Sequence, residues 1–329
     1  MKNNVLLMFQ KVLSPIVKIS DIDNAHVKII ILGFIKFSLL KFALRKRIRQ
    51  VNKEFEYYKK HVDITQVPKA TGIIRQLQLI HLILLKEIDY VCKEAGFDYW
   101  IDFGTLLGAV RHKGFIPWDD DVDLGMPREF YDKFLETFNS KTRNPNIVAL
   151  YPRKNLKARN CFVKVKCGNS KFAIDIFPYD FYGENLSKEK QHELTLYFKK
   201  CREEEINKIV DEKGLSNEEI LSKIHRLREK LLVNGECKKD SMSDLVWGVD
   251  FYHLWKHWVF NYDVFYPLKE IEFEGLKLPC CNKYDEYLKT VYGNYMAYPK
   301  NAMHAHQMYR FTEEELQNIQ EKLQEGQIQ

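Results

Sequence analysis

Asp119, Asp120, Asp121 and Asp123 place four carboxylates within five residues, in the stretch Gly114-Phe-Ile-Pro-Trp-Asp-Asp-Asp-Val-Asp-Leu-Gly-Met-Pro127. In an extended chain, residues two apart share a face. That spacing predicts Asp119, Asp121 and Asp123 on one side, with Val122 and Leu124 turned to a core. Two unit charges about 4–5 Å apart repel by roughly 3–4 kcal/mol at an effective dielectric near 20. Such a cluster must be solvated, protonated or neutralised by a cation. Hard divalent ions such as Mg²⁺ or Mn²⁺ take oxygen ligands of this kind and commonly hold substrate phosphates. A solvated acidic turn is the competing reading, and the alternating Val and Leu weigh against it.

Two flanking segments extend the pattern. Phe97-Asp-Tyr-Trp-Ile-Asp-Phe103 predicts a short aromatic strand, followed at once by Gly104-Thr105 and a helix over Leu106–Arg111. Glycine lets backbone N–H groups approach a phosphate, and a helix N-terminus adds favourable partial charge. Arg111, His112 and Lys113 lie between that turn and the aspartates, suited either to a phosphorylated ligand or simply to neutralising the acids. Further on, Phe172-Ala-Ile-Asp-Ile-Phe-Pro178 predicts an apolar strand with one central carboxylate. Asp175 is either the third acid of a site, as metal ligand or general base, or a structural partner for Lys164 or Lys166.

The run Asp102-Phe-Gly-Thr-Leu-Leu-Gly-Ala-Val-Arg-His-Lys-Gly-Phe-Ile-Pro-Trp-Asp-Asp-Asp-Val-Asp123 resembles the signature of the LicD family. The likeness continues through Phe162–Val165, Asp175–Pro178, Phe273–Pro279 and Tyr284–Leu288 with Tyr292-Gly293, roughly residues 75 to 300. That family includes bacterial phosphocholine transferases and animal fukutin-related proteins. The resemblance implies an α/β fold of mixed α+β type: a nucleotidyltransferase-like core, with a small mixed sheet flanked by helices and added helical insertions. It implies catalytic roles for Asp121, Asp123 and Asp175. The same three residues, with Asp119 as a further candidate, would be the metal ligands. Gly104, Thr105, Arg111, Lys113 and Lys164 would bind substrate phosphate. Thr105 stands where the family pattern has Ser or Gly, and it keeps a hydroxyl.

The implied reaction is metal-dependent, with Mg²⁺ or Mn²⁺. It moves a phospho-alcohol such as phosphocholine from a CDP-activated donor to a hydroxyl of a cell-surface glycan acceptor (lipopolysaccharide, capsule or teichoic polymer), and it releases CMP. Transfer of a nucleotidyl group from an NTP, or a non-catalytic glycan-binding role, are the alternatives. The choice of alcohol is not written in the sequence.

The rest of the chain must position these groups. At 329 residues and 45% apolar content it can bury a large core. Seven cysteines without paired spacing, including the vicinal Cys280-Cys281, suggest reduced thiols and a cytoplasmic location. No secretory leader is evident. Ile73, Leu77, Ile80, Leu84, Ile88 and Val91 predict an amphipathic helix ended by Gly96. A second helix opens at Pro127, with Phe130, Phe134 and Phe138 on one face. Strands are expected at Asn146–Leu150 and Cys161–Val165.

The organisation expected is a basic segment over residues 1–66, a catalytic domain over 67–311 with a helical insertion near 187–260, and a C-terminal helix over 312–329. The aromatics of residues 244–260 read as core, with a cation-binding aromatic cage as the minority alternative. His304 and His306 read as incidental. Residues 1–61 hold thirteen Lys/Arg against four Asp/Glu. The apolar run Ile29–Ile35 is too short for a bilayer, which needs about 20 residues. The segment is expected either to pack on the catalytic domain or to make peripheral contact with the inner face of the cytoplasmic membrane. Nothing suggests a nucleic-acid module.

Overall fold

The structure, a computed structural model, describes residues 44–151, 162–168, 170–182, 187–212, 214–232, 244–248, 258–299 and 311–325. The chain divides into two compact units, Met1–Asp63 and Ile64–Gln329. The apolar run Ile29–Ile35, His304 and His306, and the aromatics Phe251, Tyr252 and Trp255 lie outside the described residues. Helix α1 spans residues 44–61 and belongs to the first unit.

In the second unit the period-3.6 stripe forms α2 (Gly72–Ala95), with Leu77, Ile80, Leu84, Ile88 and Val91 fully buried. Burying each such side chain is worth about 2 kcal/mol relative to exposure. Gly96 closes the helix in the left-handed region, and its N–H donates to the carbonyls of Cys92 and Lys93.

The aromatic segment after it makes only a short strand, β1 (Trp100–Ile101). Helix α3 (Phe103–His112) starts three residues earlier than its sequence suggests, because Asp102 N-caps it: the Phe103 N–H donates to Asp102 Oδ1 at 2.9 Å. Strand β2 (Asp123–Pro127) carries the last aspartate of the motif, and α4 (Arg128–Lys141) follows. Phe134 and Phe138 are fully buried, while Phe130 is half-buried and stacks on Phe97.

Strands β3 (Ile147–Leu150), β4 (Val163–Cys167) and β5 (Ile174–Tyr182) come next. Helices α5 (Lys188–Asp211) and α6 (Asn217–Leu232) pack on each other. Two strands then fall inside the stretch expected to be helical, β6 (Asp244–Trp247) and β7 (Val259–Asn261). A one-turn helix α7 (Tyr262–Phe265), the hairpin β8 (Lys269–Phe273) and β9 (Leu276–Cys280), α8 (Tyr284–Tyr292) and α9 (Glu313–Glu325) complete the order.

Among the described residues β1 to β7 form one mixed sheet. Its order is β1-β2-β5-β4-β3, with β2 and β5 parallel and the other neighbours antiparallel. The far half of β5 pairs with β6, which pairs with β7. The sheet is therefore mixed and flanked by helices. Helices α2 and α4 pack on each other and onto β5, with α2 also on β4 and α4 also on β2. Helix α9 packs on α2, with Leu316 and Leu323 buried and Asn144 and Asn146 donating to the carbonyls of Leu323 and Lys322.

The hairpin tip pins the loop that follows α3. Glu274, at φ 50°, turns a buried carboxylate inward. It accepts from both Nη atoms of Arg75 at 3.1 and 2.9 Å and from Lys69 at 2.8 Å. Burial alone would raise its pKa, but these two cations hold it below the usual range. Gly108 lets the same loop lie against α3, since a Cβ there would sit 2.4 Å from the Gly114 carbonyl oxygen.

Candidate active site

The acidic motif is a loop that becomes a strand. Asp119–Val122 precede the ladder, and β2 begins at Asp123. Asp119–Val122 follow a turn at Pro117-Trp118 and lie outside the strand itself. Three contacts hold the loop. Gln78 of α2, itself buried, donates from Nε2 to the carbonyls of Asp119 (2.8 Å) and Ile116 (3.2 Å). The Thr105 hydroxyl accepts from the Asp123 N–H at 2.9 Å. The Asp120 N–H donates to Asp119 Oδ1 at 3.2 Å.

One ligand atom from each of Asp119, Asp120 and Asp121 lies within 4.8 Å of the others. Asp120 is fully buried, although its place in the sequence pattern suggests no role for it. Gly104 admits the loop to the start of α3, because a Cβ there would lie 3.0 Å from Asp119 Oδ2.

Asp123 and Asp175 are directly opposed on the parallel strands β2 and β5. Lys164 on β4 in turn stands opposite Asp175. The Lys164 ammonium donates to Asp175 Oδ1 and lies 4.4 Å from the centroid of the Phe162 ring. Asp121 joins the two groups. Burial and the charge of Asp121 push the carboxyls of Asp119 and Asp123 well above the usual range, with Asp175 and Asp102 adding to the effect on Asp123. Burial raises Asp175 to about 6 against the pull of Lys164. This is an excess of negative charge at one place, and a divalent cation relieves it. Hard carboxylate oxygens so close together fit Mg²⁺ or Mn²⁺.

Arg111 supplies the complementary feature. It is buried, and its Nε and Nη2 have no hydrogen-bond partner among the described residues. Desolvation lowers its pKa to about 10, so it stays charged at neutral pH. A buried guanidinium with open donors suits an anionic ligand. Tyr292, at the end of α8, is 41% exposed. Burial of its hydroxyl and the charges of Asp123, Asp119, Asp102 and Asp121 keep its phenol protonated. Its charge state is also linked to that of Arg111. Sequence reasoning saw Tyr292 only as part of a motif and missed Gln78, a polar residue on an apolar helix.

Behind α3, the Asp102 carboxylate accepts from the hydroxyls of Tyr179 (2.7 Å) and Tyr287, and burial raises it to about 6 despite those bonds. Phe103 sits at φ 37°, a strained backbone that Asp102 and the packing of Phe177, Trp258 and Tyr287 hold in place. Lys113 is placed differently from its expected role. It caps the C-terminal end of α3, two residues beyond Arg111. Its side chain is 76% exposed, with the ammonium 3.7 Å from Glu272. Trp258 and Phe260 pack on Phe103 and Tyr287 and so belong to the core side of the aromatic cluster.

This arrangement coincides with a known domain: residues 96–209 match the family described as LicD/FKTN/FKRP, nucleotidyltransferase domain. The chain carries a LicD-family domain. It is 29% identical over 248 residues to the lipopolysaccharide cholinephosphotransferase LicD of Haemophilus influenzae, covering 69% of this chain and 92% of that protein. A 36-residue stretch is 58% identical to the human ribitol 5-phosphate transferase FKRP, only 7% of that protein's length. A 93-residue stretch is 29% identical to the mouse ribitol-5-phosphate transferase FKTN, 16% of its length. The LicD-family match contains Asp102 through Asp123, Lys164 and Asp175, whereas Arg75, Gln78 and Tyr292 lie outside it.

Proposed function

We propose that this protein is a phosphotransferase for substituted phosphate groups. It moves a phospho-alcohol from a CDP-activated donor to a glycan hydroxyl and releases CMP. The observation that carries the reading is the row Lys164, Asp175, Asp123 across three strands, with the Asp119–Asp121 loop beside it. Asp121, Asp123 and Asp119 are the proposed holders of Mg²⁺ or Mn²⁺, with Asp120 as an added candidate. When bound, that ion neutralises the donor diphosphate and the carboxylates around it.

Asp175 accepts the proton of the attacking hydroxyl. A pKa near 6 suits a general base at neutral pH, and Lys164 on one oxygen leaves the other for the substrate. The acceptor oxygen bonds to the phosphorus that carries the alcohol, and the bond from that phosphorus to the CMP oxygen breaks. Arg111 and the N-terminus of α3 at Gly104-Thr105 offset the charge that grows on the phosphate oxygens. The Thr105 hydroxyl, committed to the Asp123 N–H, positions the acidic strand. Lys113 is left out of the phosphate site.

Cytoplasmic residence, peripheral on the inner face of the membrane, belongs to the same proposal. No described helix is long and apolar enough to cross a bilayer. The test of the reaction is the nucleotide product. Incubation with Mn²⁺, a glycan acceptor and CDP-choline or CDP-ribitol should yield CMP and a phosphodiester on the glycan. Pyrophosphate from CTP, with no CMP from either CDP-alcohol, would replace this reading with nucleotidyl transfer.

A further inference from the structure

The surface of α1 has no role in the catalytic reading, yet it is strongly patterned. Leu44, Ile48 and Val51 are 58%, 49% and 47% exposed, and Tyr58 is 40% exposed. With Phe55, which is half-buried, they recur at steps of four and three residues. At about 100° per residue these five side chains fall within roughly 80° of one face. Lys46, Arg49, Lys53 and Lys60 fall on the opposite face. Arg45, Arg47 and Lys59 flank the apolar stripe on its two sides. Residues 44–61 thus hold seven Lys/Arg against Glu54 and Glu56. The acids are already engaged: Glu54 accepts from Gln50 at 2.9 Å, and Glu56 pairs with Lys59 at 2.5 Å.

We propose that α1 is an interfacial helix that lies in the plane of an anionic phospholipid surface. Its apolar stripe enters the acyl boundary. Its flanking cations reach back to the headgroups, as long basic side chains can. The same spacing of four and three would also suit a coiled coil with a second copy of the chain. Charge decides between them. In a parallel pair, Arg45 and Arg47 would line both sides of the seam with like charge, whereas an anionic surface attracts every one of these groups. The inference deepens the peripheral placement proposed above and is independent of the donor and of catalysis.

The experiment is flotation of the full chain with vesicles of phosphatidylcholine, alone or with about one third phosphatidylglycerol. Binding is expected only with the anionic vesicles and should weaken with salt. The double variant Ile48→Asp/Val51→Asp should lose it, with an unchanged circular dichroism spectrum because both positions are exposed. Arg45→Gln/Arg47→Gln, at the flanks of the stripe, should weaken partitioning about fivefold per charge removed. Equal binding by Ile48→Asp/Val51→Asp would leave the peripheral placement standing and overturn the role of α1. No binding to either vesicle would overturn both. A dimer in sedimentation that the same variant turns into a monomer would overturn the lipid surface in favour of a second copy.

Discussion

Asp123 and Asp175 stand side by side on parallel strands, 52 residues apart in sequence, and share Asp121 as a neighbour whose charge raises them both. Neither acid has a low-energy ionised state there without a cation nearby. Lys164 answers Asp175, and Asp123 has only other acids among the charges that shift it.

Asp123→Asn should therefore separate stability from activity. Removing one of several crowded charges should raise the unfolding temperature of the metal-free protein, by about 1–2 °C for each kcal/mol of repulsion relieved. Turnover should fall by at least about 100-fold. Differential scanning calorimetry with and without Mn²⁺, alongside CMP release, checks both. A destabilised variant with full turnover would remove Asp123 from the site.

Arg111→Met tests the buried guanidinium. The side chain has no partner for two of its nitrogens among the described residues, so its loss should cost little stability. Affinity for a CDP-alcohol should drop by about 2–4 kcal/mol, as for a buried charge pair broken on one side. Isothermal titration with donor and Mn²⁺ measures it. Unchanged affinity would show that the phosphate lies elsewhere.

Gln78→Leu keeps the bulk of the side chain and removes the donor to the carbonyls of Ile116 and Asp119. Ile116 still accepts from the Asp119 N–H at 2.9 Å, so Asp119 is the one that loses its partner. An unmet buried acceptor costs about 1–3 kcal/mol. Stability should fall by that order, and the dependence of turnover on Mn²⁺ concentration should shift upward because the Asp119–Asp121 loop loses its hold. A variant with normal metal dependence would make Gln78 purely structural.

His81 predicts an acid limb in stability. It is fully buried against Phe172, and desolvation lowers it from 6.5 to about 4 despite Asp121 and Asp120. The unfolded chain takes up the proton below pH 6.5 and the fold refuses it until about 4. Its stabilising share is complete above pH 6.5 and is lost as pH falls through 4, about 3 kcal/mol in all. His81→Leu should flatten that limb in urea titrations at pH 4.5 and 7. An unaltered pH profile would assign the acid sensitivity to other groups.

The chemistry of the site was legible because it is local. Asp119–Asp123, Gly104-Thr105, Arg111 and the lone Asp175 each carry their signal within a few residues. What joins them is not local. The pairing of Asp123 with Asp175 depends on two strands becoming parallel neighbours, and Gln78 becomes a loop anchor only when α2 packs beside residues 116–119. Trp100–Ile101 is a stub of the strand expected there because Asp102 starts α3 so early. Strands β6 and β7 were hidden because short aromatic runs read equally well as helix or sheet. Lys113 looked like a phosphate ligand from its place in the motif, but its side chain is exposed and lies 3.7 Å from Glu272.

The central claim is best tested by thermal shift of the full chain with Mn²⁺ and, separately, CDP-choline, CDP-ribitol, CDP-glycerol, CTP and ATP. A ligand at about 100 times its Kd adds roughly 2.7 kcal/mol of stability. One CDP-alcohol should raise the unfolding temperature, only with metal, and the rise should vanish in Asp123→Asn and Arg111→Met. A rise with CTP or ATP alone, or the same rise in Asp123→Asn, would contradict the account.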